Sequence, residues 1–102
     1  MKLAADFVVE AVTDRRCEEM QHDLMLRFAI ERALITIGEA LNQLHHSAPQ
    51  IAEQIGDWKK VIGFRHILVH GYKFLDENIV WDIATVDVPV LIQQLTQLLS
   101  DD

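Results

Sequence analysis

Residues 23–45 read DLMLRFAIERALITIGEALNQLH, and this stretch decides the fold. Leu26, Ile30, Ala33, Leu34, Ile37, Leu41 and Leu44 recur close to an i, i+3, i+4, i+7 pattern. That spacing lays a single apolar stripe along an α-helix. The helix is expected to start between Glu18 and Asp23 and to run to about His45. At 1.5 Å per residue it is roughly 30 Å long, enough to cross a small domain.

The flanking sequence supports shorter helices with brief connections. Leu3, Phe7, Val8 and Val12 fit helical spacing over about Leu3 to Val12. Ser47 offers an N-cap, with Pro49 in the first turn of a short helix through Ile55 and Gly56 as its stop. Asp57 is expected to cap a helix from Trp58 to about His70, which Gly71 loosens or ends. After a turn at Lys73, Phe74 and Leu75, Asp76 is expected to cap a segment holding Ile79, Val80, Trp81 and Ile83. Asp87 with Pro89 starts or kinks a last helix through Leu99, whose apolar face is Val90, Leu91, Leu95 and Leu98. The Val-, Ile- and Thr-rich stretch from Ile79 to Val90 is the one place a strand can be argued. Its Asp caps and helical neighbours favour helix.

Composition narrows the class. A chain of 102 residues has room for one domain, expected over 1–102. Half of its residues are hydrophobic, which fills a core and leaves apolar surface for a partner chain. Only 2 prolines and 4 glycines are present, a bias toward helix over a turn-rich β fold. The net charge of −7 argues against a general nucleic-acid binder, which should be basic. The cations are unevenly spread, however: Lys59, Lys60, Arg65, His66, His70 and Lys73 gather between Trp58 and Lys73. Cys17 is the only cysteine, so no intrachain disulfide can form and a reducing, cytoplasmic setting is expected. No apolar run is read as approaching the ~20 residues of a membrane span, and nothing signal-like stands at the N-terminus.

The chemistry lies on the helix from Trp58. One of its stripes is Trp58, Val61, Ile62, Arg65, Leu68, Val69 and Tyr72, apolar or aromatic but for Arg65. A guanidinium there must snorkel from the core edge, bridge to a carboxylate such as Glu39, or serve a wet cleft. At ~100° per residue, His66 and His70 share a face, Arg65 and Tyr72 nearly eclipse, and Arg65 and His70 lie ~140° apart. A second copy of the helix can complete such a site. The residue set suits RNA phosphodiester cleavage. Histidine exchanges protons near neutrality, with the 2′-hydroxyl as internal nucleophile and no metal required. Arginine forks onto phosphate oxygens. A rival reading is metal, since His66 and His70 have the i, i+4 spacing of helical zinc ligands. Ile67 stands where such motifs carry Glu, and no third ligand is obvious, although His45 and His46 are available. Those two suit the C-terminal dipole of the long helix, and His22 reads as surface. Cys17 has no nucleophile–base pattern, and Trp58 and Trp81 read as packing anchors.

Residues 65–72, RHILVHGY, resemble the R-x-x-x-x-H-x-Y motif of HepT-like toxins, a branch of the HEPN superfamily. Residues 33–40 (ALITIGEA), 58–65 (WKKVIGFR), 79–82 (IVWD) and 87–91 (DVPVL) resemble the family's surroundings, so the likeness runs from about residue 23 onward. The resemblance implies an all-α, HEPN-type antiparallel helical bundle that dimerises through the motif helix. It also implies a metal-independent, cofactor-free endoribonuclease, the toxin of a type VII-like toxin–antitoxin pair. Arg65 and His70 would be its catalytic pair, with His66 assisting; the locally basic run then makes Lys59, Lys60 and Lys73 the expected RNA-binding residues. Tyr72 would take AMP from an MNT-type nucleotidyltransferase antitoxin, placing bulk and negative charge beside Arg65. The first helix looks shortened relative to the family. The alternative is a non-catalytic HEPN binding module partnering such a nucleotidyltransferase; a plain structural helical dimer is the third reading.

Overall fold

Asp23 starts the longest helix: its Oδ1 accepts the Leu26 backbone N–H at 3.1 Å, the usual way an N-cap satisfies an orphan amide. A computed structural model describes residues 1–70 and 76–100. In chain order the elements are α1 (Lys2–Val12), α2 (Cys17–Gln21), α3 (Leu24–Ser47), α4 (Pro49–Ala52), α5 (Trp58–Val69), α6 (Glu77–Asp82), a π-helical turn (Ile83–Asp87) and α7 (Val88–Ser100). The described residues are all-α, with no strand among them.

α3 is the axis of the bundle, and it packs most extensively on α5 and then on α1. Three contacts fix α3 and α5 as antiparallel neighbours: His45 stacks on Trp58, Gly38 abuts Arg65, and Arg27 reaches Glu77 just beyond α5. The buried stripe of α3 is Ile30, Ala33, Leu34, Ile37 and Leu41, the central part of the expected one; Leu26 and Leu44 are half-buried at its ends. Ala5 and Val8 of α1 join it, with Val61 and Phe64 of α5 and with Val80, Ile83, Ala84, Val88 and Leu91 from the C-terminal elements. Among the described residues no polar or charged residue is buried as a whole.

Several local expectations are corrected. Ser47 ends α3 rather than capping α4, and its hydroxyl donates back to the Gln43 carbonyl at 3.1 Å. α4 stops at Ala52, and turns carry the chain to Ile55. Gly56 does more than end a helix: its N–H donates to Gln94 Oε1 at 2.7 Å, tying this turn to α7. Asp57 precedes α5 without a side-chain cap bond, whereas Asp76 caps α6 through Asn78 N–H at 2.9 Å. α2 was not expected. On α1, Leu3 and Phe7 face outward, and Ala5 and Val8 are the buried pair. Val90, expected on the inner face of α7, is exposed.

Residues 77–98 form one nearly continuous helical stretch, long and apolar enough by composition alone to span a membrane. This amends the sequence reading. The stretch supplies five core residues, begins at the Asp76 cap and carries Asp87 on an ion pair, as the side of a helical bundle does. The expected break near Asp87 and Pro89 is the π turn, in which Val88 N–H donates to the Ile83 carbonyl five residues back. The widened turn lets the helix continue past a proline that has no N–H to give.

Gly38 is required by this packing. A Cβ there would overlap Arg65 Cβ and come within 2.8 Å of Arg65 Cγ and 3.2 Å of the Val61 carbonyl. Gly63, in α5, has nothing within 4 Å of its added Cβ. Gly38→Ala should therefore lower unfolding free energy by about 1–3 kcal/mol despite its better helix propensity. Gly63→Ala should raise it by about 0.5–1 kcal/mol. Urea unfolding of the two variants separates packing from propensity.

Candidate active site

α5 carries the candidate residues, and of these Arg65 enters the seam with α3. The Arg65 side chain is 28% exposed; its Cβ and Cγ lie against Gly38, and its Nη2 sits 3.9 Å from Glu39 Oε1. Its Nε is buried without a hydrogen-bond partner. Two of the options open at the sequence level thus apply together: the stem lies in the α3–α5 seam and the head faces Glu39. His66 and His70 are exposed on the outer side of the helix end, with ring centroids 4.2 Å apart at 61°. The His70 N–H donates to the His66 carbonyl at 3.2 Å, so His70 continues the helical path at the C-cap of α5. The structure therefore brings His66 and His70 together and holds Arg65 on a different side of the same helix. Tyr72 and Lys73 lie outside the described residues.

The lysines divide. Lys59 Nζ lies 5.5 Å from the centroid of the Trp58 ring. Lys60 Nζ sits 2.9 Å from Asp87 Oδ2, a carboxylate whose side chain is only 8% exposed. Asp87 holds the Lys60 pKa above its ordinary value, chiefly through this short contact; burial opposes the shift, and the charge of Asp87 adds less than burial takes away. The charge of Lys60 is thus engaged with the π turn.

Among the described residues no group of three His, Cys, Asp or Glu side chains is placed to hold a metal ion. His45 and His46 are at the other end of α5 from His66. His45 stacks on Trp58 at 4.3 Å and faces Glu53 at 3.6 Å, and His46 Nδ1 lies 2.7 Å from the Asn42 carbonyl. Trp58 and Trp81 are half-buried against the core. The Cys17 thiol is pushed above its ordinary pKa, first by burial and then by the carboxylates of Glu18, Glu77, Asp76 and Asp82, the reverse of what a nucleophilic thiolate needs. Sequence reasoning missed Gly38 as part of the site. Its signal was a glycine inside a strongly periodic helix, which costs about 1 kcal/mol relative to alanine and so asks for a packing reason.

The model of the family described as Ribonuclease HepT-like matches residues 1–98. The chain belongs to this family. A Methanocaldococcus jannaschii protein named "Putative RNase" is 34% identical over 86 residues, covering 84% of this chain and 78% of that protein. A second protein of that name, from Caldanaerobacter subterraneus subsp. tengcongensis, is 28% identical over 97 residues, covering 95% of this chain and 86% of its own. A Thermococcus cleftensis protein named "Probable ribonuclease HepT" is 29% identical over 85 residues, covering 82% and 76%. No solved structure matches the chain significantly. The HepT-like assignment agrees with the all-α, HEPN-like bundle described above.

The Lys60–Asp87 pair yields a stability test. Lys60→Gln leaves a nearly buried carboxylate without its cation. Because Lys60 is half-exposed, the loss should be about 1–2 kcal/mol at neutral pH, below that of a fully buried pair. The folded pKa of Lys60 is raised, so its contribution is full below the ordinary value of 10.5 and fades as pH rises through the folded value. Denaturation of wild type and variant at pH 7 and in strong alkali should show a gap that closes at the alkaline end.

Proposed function

We propose that this HepT-like protein is a metal-independent endoribonuclease that acts as a homodimer in the cytoplasm, the toxin of a toxin–antitoxin pair. The observation that carries the reading is that one helix holds Arg65, its stem set in the α3–α5 seam, and on another side the exposed His66–His70 pair, in a chain of a ribonuclease family.

One of the histidines accepts the 2′-hydroxyl proton as the 2′-oxygen attacks phosphorus. The bond to the 5′-oxygen breaks, that oxygen receives a proton, and the products are a 2′,3′-cyclic phosphate and a 5′-hydroxyl. Arg65 stabilises the charge that builds on the phosphoryl oxygens. His70 and Arg65 form the principal pair, His66 assists, and Lys59, Lys60 and Lys73 contact the RNA backbone, Lys60 through its half-exposed side while still paired with Asp87. Because Arg65 and His70 diverge around α5, a productive site draws on two copies. Exposed apolar residues near the motif support that assembly: Ile67 and Val69 on α5, with Leu24, Met25 (85% exposed) and Phe28 (60%) on the half of α3 that runs past the end of α5. Tyr72 is the acceptor of AMP from a partner MNT-type nucleotidyltransferase, and its modification switches the site off by charge and bulk.

A second reading, a non-catalytic binding partner of a nucleotidyltransferase, is favoured by the net charge of −7, which repels RNA. Purified wild type should cut RNA in excess chelator and leave cyclic phosphate ends. His70→Ala and Arg65→Ala should each lower the rate by about a hundredfold or more. Intact RNA with unmodified wild-type protein would sink the nuclease reading and leave the binding module. Incubation with the partner enzyme and ATP should add the mass of AMP to wild type and not to Tyr72→Phe.

A further inference from the structure

We infer that Glu39 is a charge placeholder for Arg65: it faces the guanidinium in the RNA-free protein and yields it to an entering phosphate, so that it sets substrate affinity. This rests on the reading that Arg65 receives the scissile phosphate.

Three observations carry it. Gly38 leaves room for the Arg65 stem and nothing more, so Cβ and Cγ are fixed, while the side chain as a whole is 28% exposed. The head is loosely held: Nη2 stands 3.9 Å from Glu39 Oε1, beyond hydrogen-bonding distance, and Nε is buried with no partner. Glu39 is 43% exposed, so solvent screens the pair. Another arginine that faces carboxylates, Arg27, is held differently. It reaches Glu31 at 2.7 Å and Glu77 at 3.4 Å, with its side chain only 19% exposed. Arg27 is thus a closed structural contact, whereas Arg65 keeps donor capacity in reserve.

The consequence is an exchange of anions. A phosphate offers a doubly charged-assisted fork to a guanidinium, stronger than one long contact to a screened carboxylate. When phosphate arrives, Glu39 is left beside it, and the like charges oppose each other. Glu39 therefore lowers the affinity of the site for any anion while keeping the head oriented near its working position. It touches neither the 2′-oxygen nor the leaving oxygen, and so acts on binding rather than on the chemical step. It is a positioning residue that acts through Arg65.

The test uses the full chain, a fluorescent RNA oligonucleotide for cleavage, and an oligonucleotide with 2′-deoxy substitution, which cannot be cleaved, for binding. Glu39→Gln keeps the shape and removes the charge. It should lower KM and tighten binding of the uncleavable strand by about two- to fivefold, the size of a screened charge pair, with kcat changed less than twofold. Glu39→Asp, which restores the charge, should return KM toward wild type. Glu31→Gln removes the same charge from the same helix at the Arg27 pair and should leave KM where it was. Unchanged or weaker binding in Glu39→Gln, or an equal gain in Glu31→Gln, overturns the inference. Wild-type binding that Arg65→Ala does not weaken overturns instead the reading on which it rests. Wild type that neither binds nor cuts overturns both.

Discussion

The close passage of α3 over α5 at Gly38 and Arg65 is the constraint on which the rest of this structure depends. Two helices approach as closely as their facing side chains allow, and here one of the two facing residues has no side chain. Arg65 Cβ and Cγ occupy the space that a Cβ at residue 38 would take. The contact sets the register: with residue 38 opposite 65, antiparallel geometry carries His45 to Trp58 and Arg27 toward Glu77. It also sets the spacing at which Val61 and Phe64 reach the apolar stripe of α3. The same atoms that lock the bundle therefore aim the arginine. The stem of Arg65 is a packing element, and only its head is left for chemistry.

What was legible in the sequence follows from this division between local and non-local causes. The long helix could be read because seven apolar residues repeat at its own period, and Asp76 could be read as a cap because a cap bonds within three residues. Glu39 could be named as the partner of Arg65, since an arginine on an apolar stripe asks for a carboxylate nearby. The remaining features needed a partner element to decide them. Leu3 and Phe7 match helical spacing as well as Ala5 and Val8 do, and only the position of α3 and α7 selects the smaller pair for burial. Ser47 and Asp57 have cap chemistry, but the path of the chain between α3 and α5 leaves both without that bond. Gly38 could be seen as unusual within its helix, while its reason required knowing which residue lies across from it. Tyr72, prominent in the sequence, lies outside the described residues.

The electrostatic arrangement explains how an acidic chain can carry a cationic site. Two of the cations on α5 face carboxylates from other elements: Lys60 meets Asp87 at the π turn, and Arg65 meets Glu39 on α3. The two pairs differ in kind. Asp87 is nearly buried and its lysine stands 2.9 Å away as an ion pair, so separating them exposes a costly charge. Glu39 is half-exposed and its arginine is not within bonding range, so separating them costs little. Coulomb attraction between protein groups thus anchors the π turn on one side of α5 and merely rests against the arginine on another. Net charge alone is blind to this difference, because both pairs sum to zero.

Under the proposed function, the geometry also divides the two tasks that phosphodiester cleavage requires. Charge stabilisation demands a fixed donor, since reorganising a charged group during reaction raises the barrier. Under the proposed function Arg65 would meet that demand only in part: its stem is wedged between two helices, and its head would be fixed by the phosphate it receives. Proton transfer demands exchange with solvent between turnovers, and His66 and His70 sit exposed where α5 ends. A straight helix cannot turn both groups toward one phosphate, because five residues separate Arg65 from His70 by ~140°. Under the proposed function, the helix that fixes the arginine would therefore be the reason one copy supplies the parts of a site without closing it. Exposed Met25 and Phe28 on the neighbouring half of α3, and Ile67 and Val69 beside the histidines, give a second copy apolar surface on which to complete it.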